Sequence, residues 1–385
     1  MYKDIKYFNG LNALRFFAAF LVVLHHAEQI RLKYHLFNLK HYSLFNNGGV
    51  GVTFFFVLSG FLITYLLLKE NRTYNDISIR NFYVRRILRI WPLYFMLVGI
   101  GTLALPFLIT MMHINYVMPY HFTQVFGYYL FFMPFMVNVL FGHHLLEPLW
   151  SIGVEELFYL TWAPAFKLFK KYLFEIIIFI IALKIMLSAF AVFCVMGKTY
   201  NEVIAALQFE AMGIGGLGAY IVFNRKKTIS DSILFSKPVQ LFFYLFIFSY
   251  VLFWKELSAI SAVFKILWTT PIVSSVCMML SFCWLIVNIA LNEQSIVKLR
   301  SKQLSFLGEI SYGIYMYHML VVFAVVVVGT KVLNKLNPAV STIVFYIVIT
   351  TATILVSYLS KRFFEERFLK LKAKYEKPQH RSVEL

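Results

Sequence analysis

Arg15 and His26 are polar residues in an unusual place. Both lie in LNALRFFAAFLVVLHHAE (Leu11–Glu28), a stretch apolar enough to enter a bilayer. A charge or an imidazole is costly there and marks a functional position by default. A helix turns about 1,100° over the eleven residues between them, so His26 shares a face with Arg15 about 16 Å further along. His25 lies about 80° off that face. Taken alone, Arg15 reads equally as an anchor reaching the interface, and His26 as a packed, hydrogen-bonded histidine.

Three further groups narrow the reading. In FYVRRILRIWPLYF, Arg85, Arg86 and Arg89 open an apolar run, and Arg86 and Arg89 share a helix face. Guanidinium groups so placed can bind phosphates, or can simply hold the run's end on the basic side. In LEPLWSIGVEELFYLTW, Glu155 and Glu156 point about 100° apart, so at most one is expected to face His26. A carboxylate there would fix the imidazole tautomer, and Trp150 beside it could meet substrate. In LGEISYGIYMYHMLVV, Tyr312, Tyr315 and His318 fall along one stripe, suited to substrate contact or to helix packing.

These groups need a membrane scaffold. The 385 residues are 60% hydrophobic and 14% charged, and the mean hydropathy is +0.73. Runs of roughly 20 apolar residues recur throughout, which reads as an all-α polytopic helical bundle, not a barrel of short alternating segments. Ten spans are expected near 11–30, 48–68, 89–111, 149–166, 173–196, 203–223, 238–256, 269–291, 305–329 and 339–360. The run FTQVFGYYLFFMPFMVNVL, near 123–141, carries Gly127, Pro134 and Asn138 and reads as re-entrant or interfacial. The whole chain, 1–385, reads as one integral membrane domain with a tail from about 361.

The net charge of +18 comes from 36 Lys and Arg against 18 Asp and Glu. With these spans, 26 of the 36 basic residues fall on the side of both termini and eight on the other. That asymmetry puts both termini in the cytoplasm. It also makes nucleic acid an unneeded partner, since no basic, aromatic-interleaved soluble module is present. The first run lacks a small-residue cleavage site and reads as a retained anchor. Cys194, Cys277 and Cys283 form no paired framework, and no ligand spacing suggests a metal.

In order along the chain, Arg15-x10-His26, FFFVLSGFLI (Phe54–Ile63), the RxxR of Arg86 and Arg89 followed by Pro92, WSIGVEELFYL (Trp150–Leu160) and GEISYGIYMYH (Gly308–His318) resemble the membrane acyltransferase-3 family. Each motif alone is weak, whereas the ordered set is specific. The resemblance implies an integral membrane O-acyltransferase of the bacterial inner membrane, acting on cell-surface sugars. It implies His26 as the catalytic histidine and Arg15, Arg86 and Arg89 as the acyl-CoA site. Glu155 or Glu156 would position the histidine or the acceptor. Two departures stand out. Glu366-Arg367 is followed by Phe368 where the family often has proline, so the tail is expected to carry no chemistry. Gln208-Phe209-Glu210 precedes Gly213 where a basic residue is common. A hydrolase-like extracytoplasmic domain is not expected.

The expected reaction takes acetyl-CoA, or another acyl-CoA, from the cytoplasm, with His26 as general base on a glycan hydroxyl. The acceptor is a surface polysaccharide or a lipid-linked glycan, and membrane lipids surround the bundle. An acyl-enzyme at His26 fits the same residues. A transporter or flippase for a lipid-linked sugar is the alternative from another class; it would need no acyl-CoA. A structural membrane protein would need no aligned polar groups at all.

Overall fold

A computed structural model describes residues 2, 3, 5, 8–194, 196–225 and 227–375. Lys6, Lys226 and the tail beyond 375, which enter the charge asymmetry, lie outside the described residues. The described chain is helical, without strands. A backbone in hydrocarbon must satisfy its own polar groups, and helices do so within one segment.

The helices are α1 (Leu11–Lys33), α2 (Gly48–Tyr74), α3 (Ile79–Gly99), α4 (Leu105–Met111), α5 (Phe122–Leu130), α6 (Pro134–Phe141), α7 (Trp150–Leu168), α8 (Leu173–Phe193), α9 (Lys198–Ala206), α10 (Phe209–Asn224), α11 (Lys237–Ile260), α12 (Ala262–Thr269), α13 (Pro271–Leu291), α14 (Lys302–Glu309), α15 (Ser311–Leu333), α16 (Pro338–Ser360) and α17 (Glu366–Ala373).

Nine helical stretches among the described residues are long and apolar enough to cross a membrane. The tenth expected span is α7, which lies where the sequence placed it. Glu155, Glu156 and Lys167 make it too charged to count by composition. The expected span at 203–223 begins earlier and is broken at Leu207–Gln208, between α9 and α10. The one at 305–329 is broken at Ile310. The run near 123–141 forms two short helices, α5 and α6. The break has a local cause: Phe132 takes a left-handed φ of 55°, and Pro134 starts α6. A helix of nine residues is about 13 Å long, so neither crosses.

Small residues set the closest approach. A Cβ on Gly60 would lie 1.9 Å from the Met212 carbonyl oxygen, and one on Gly215 would lie 1.9 Å from that of Val57. The glycine-rich face of α10 therefore meets α2 backbone to backbone, the usual device for packing helices in lipid. Replacing Gly215 with valine forces the pair apart. We expect a large loss of monodisperse protein after detergent extraction, measured by size-exclusion chromatography; an unchanged profile would refute the close packing. The outer faces of α8, α11 and α16 expose Phe179, Phe190, Phe242, Phe248, Ile347 and Leu355 and suit contact with lipid.

Candidate active site

α1 packs on both α2 and α15, and this brings His26 to His318. His26 Nδ1 lies 2.9 Å from His318 Nε2, and both side chains are buried. His318 Nδ1 lies 2.6 Å from the Tyr315 carbonyl oxygen. A carbonyl only accepts, so His318 carries its proton on Nδ1 and accepts at Nε2. His26 must then donate from Nδ1, which leaves its Nε2 with a free lone pair. The hydrogen-bond chain thus selects the atom that could act as a base.

Among the described residues, neither Glu155 nor Glu156 hydrogen-bonds to His26. Ser151 on α7 lies 2.8 Å from the Tyr315 hydroxyl. Glu155 is one turn on, about 6 Å nearer the helix's other end. There its Oε2 accepts from the Tyr159 hydroxyl at 2.9 Å, and Tyr159 lies 2.6 Å from Ser59 Oγ. Glu156 points elsewhere and accepts from Trp91 Nε1 at 3.0 Å. His318, expected as a substrate contact, lies within hydrogen-bond distance of His26.

A cavity of about 550 Å³ opens at the basic end of the bundle. Arg15, Arg86 and Arg89 all line it, together with Glu155, Tyr312 and Tyr315. Arg86 lies over the rings of Phe82 and Tyr159 at 5.7 and 5.6 Å, and its buried Nε has no partner. Arg89 is exposed. Arg15 makes a long contact of 3.4 Å to Asn12 Oδ1. Arg85 turns away and pairs with Glu70 at 2.9 Å. Tyr312 donates to the Ile90 carbonyl at 3.1 Å. Tyr315 also lines the cavity, and its ring centre is 5.9 Å from that of His318. Trp150 packs edge-on against Phe56, 5.8 Å between ring centres, outside that lining.

The tail, expected to carry no chemistry, forms part of the cavity wall. Lys361, Glu365, Leu369 and Lys372 line the same cavity. A π-helical turn over Lys361–Glu365 carries the chain from α16 into α17 and returns it to the site; such turns recur at functional positions.

Sequence reasoning also missed a brace two residues past His26. Glu28 and Arg31 are buried and paired at 2.8 Å. Arg31 donates to Thr342 at 2.9 Å, and the Tyr346 hydroxyl donates to Glu28 at 2.5 Å. The Leu39 amide also donates to Glu28. A buried pair with its remaining lone pairs satisfied fixes geometry, so this end of α1 is tied to α16. The i, i+3 spacing inside an apolar span was the available signal. In a nearby loop, the His143 ring donates to Glu147 at 2.8 Å, which raises its pKa, first through the hydrogen bond and then through charge.

A polytopic helical bundle with an arginine-lined cavity, one wall residue of which, Tyr315, accepts from a buried histidine pair, suits a membrane group-transfer enzyme. The acyltransferase-3 family model, described as an acyltransferase domain, matches residues 8–362, so the chain belongs to that family. A provisionally named O-acetyltransferase of Staphylococcus aureus (strain COL) is 32% identical over 169 residues, covering 41% of this chain and 24% of that protein. A protein of Bacillus subtilis (strain 168), provisionally named peptidoglycan O-acetyltransferase YrhL, is 30% identical over 183 residues, covering 44% and 25%. Peptidoglycan O-acetyltransferase OatA of Listeria monocytogenes is 29% identical over 168 residues, covering 42% and 24%. The matched part is about a quarter of the length of these curated relatives. No solved structure matches the chain.

Proposed function

We propose that this protein transfers an acetyl group from acetyl-CoA, bound at the cytoplasmic face, to a hydroxyl of a cell-surface glycan. The bacterial inner membrane, with both termini inside, is the setting that the basic-residue asymmetry favours. The observation that carries the reading is the cavity itself: three guanidinium groups line it together with Tyr315, whose carbonyl accepts from the His318 ring that pairs with His26. Arg15, Arg86 and Arg89 suit the phosphates of coenzyme A, since guanidinium binds phosphate in a fixed fork. Glu155 balances part of their charge. The thioester arm runs inward past Tyr312 and Tyr315. Peptidoglycan, named for two of the relatives, is the acceptor class to try first.

In the reaction, His26 Nε2 takes the proton of the acceptor hydroxyl as its oxygen attacks the thioester carbonyl. The imidazolium keeps its Nδ1 hydrogen bond to His318. The carbon–sulfur bond then breaks, and the thiolate takes the proton from His26 Nε2. Coenzyme A leaves as the thiol and the acceptor as the ester.

The test uses the full chain in liposomes, with labelled acetyl-CoA on the side of its termini and peptidoglycan fragments on the other. Label on the glycan and stoichiometric free thiol are the expected products. Glycan that crosses the membrane unlabelled would sink the reading in favour of a flippase.

A further inference from the structure

A second cavity, of about 640 Å³, lies at the start of α2, away from the arginines. Its size falls within the roughly 300–1,000 Å³ of small-molecule sites. Three buried polar atoms on its lining residues have no hydrogen-bond partner among the described residues: Nε1 of Trp254, Nε1 of Trp268 and Oδ1 of Asn201. An indole nitrogen only donates. An amide oxygen only accepts. Buried polar groups are normally paired, and each exception needs an explanation.

The chemistry of the orphans restricts the occupant. It must bring donors and acceptors together, which sugar hydroxyls do and lipid tails do not. Lys184 Nζ lies 3.4 Å from Glu210 Oε2 in the wall, so the two charges offset and give no net field for an isolated phosphate. Both tryptophans offer broad apolar rings with a polar edge, which suits a pyranose that is apolar on one face and wet around its rim.

The cavity also lies one residue from a contact with His25. Asn47 and Gly49 line it on either side of Gly48. A Cβ on Gly48 would lie 2.8 Å from the His25 side chain, so the absent side chain is what lets α2 press on His25. The His25 and His26 rings are 5.3 Å apart. His25 Nδ1 is itself buried without a partner.

We infer that this cavity is the acceptor site and holds a pyranose unit of the glycan, whose hydroxyl reaches His26 past His25. Its role as acceptor site rests on the acyl-transfer reading; its capacity to bind sugar does not. The experiment is therefore a binding measurement without acyl-CoA. Full-length protein in lipid nanodiscs is titrated by calorimetry with a tetramer of N-acetylglucosamine and, separately, with muramidase-released peptidoglycan fragments.

Binding of at least one probe by the wild type is expected. Trp268→Phe, which keeps a ring and removes the indole donor, and Asn201→Ala should each weaken it about tenfold or more. Acetyl-CoA affinity, measured on the same samples, should stay unchanged and reports folding. The site is overturned if neither sugar binds the wild type, if both variants bind as the wild type does, or if lysophospholipid displaces the sugar at equal concentration. Sugar binding that depends on Trp268 and Asn201, without acetyl transfer in the liposome assay, would leave the site standing and remove the transferase reading instead.

Discussion

His26→Ala lowers acetyl transfer by about 10²–10⁴-fold, the usual worth of a positioned general base, while the Michaelis constants for acetyl-CoA and glycan change little. The reason is the direction of the hydrogen-bond chain. The Tyr315 carbonyl fixes the His318 proton, His318 fixes that of His26, and the free Nε2 is what remains. His318 is a positioning residue, so its loss has a separable signature. His318→Ala should lower kcat, less than His26→Ala does, with both Michaelis constants retained. His318→Gln, which can still accept from His26, should recover part of the loss. Steady-state kinetics on protein matched for membrane level decides it. Full activity in His26→Ala would make the pair a packing contact and end the proposed mechanism.

Arg89→Ala and Arg86→Ala should raise the Michaelis constant for acetyl-CoA by about 10–100-fold each. A charge-assisted hydrogen bond is worth about 1.5–3 kcal/mol, and about 1.4 kcal/mol is tenfold. Lysine at either position should recover only part, because an ammonium lacks the planar fork. The decisive control is a short acetyl thioester without the nucleotide. It meets none of the guanidinium groups, so the substitutions should leave its rate alone. If alanine at both positions leaves the acetyl-CoA constant unchanged, the cavity does not bind the donor. Arg15 lines the same cavity with a long contact to Asn12, which leaves its guanidinium available to the same ligand.

The scaffold was legible because bilayer physics acts on short windows of sequence. Apolar runs placed the main spans, and Gly127 and Pro134 marked the run that does not cross as one helix. Helical periodicity likewise put Arg15 and His26 on one face of α1. The misses are contacts between helices far apart in sequence, about which spacing is silent. His318 lies 292 residues from His26, and nothing local tells that α15 supplies the imidazole's partner instead of α7. The place of Glu155 is hidden for a related reason: its depth along α7 follows from where Ser151 docks on Tyr315. The tail's place in the cavity wall is hidden too, because a departure from a motif says nothing about where a π-helical turn will steer the chain.

The hydrogen-bonded histidine pair has an electrical consequence for the proposed reaction. Each turnover would send one acetyl group outward and bring one proton inward, from the glycan hydroxyl to the coenzyme A thiol. The proton would pass through a single nitrogen, His26 Nε2, so the reaction would need no chain of proton carriers across the bilayer. The reactants and products on each side carry the same charge before and after, and no net current flows. Moving one charge through 100 mV is worth about 2.3 kcal/mol, yet none of that enters here. If the proposed reaction holds, the glycan would therefore be modified at the same driving force in an energised cell and a depolarised one, set by the exchange of thioester for ester.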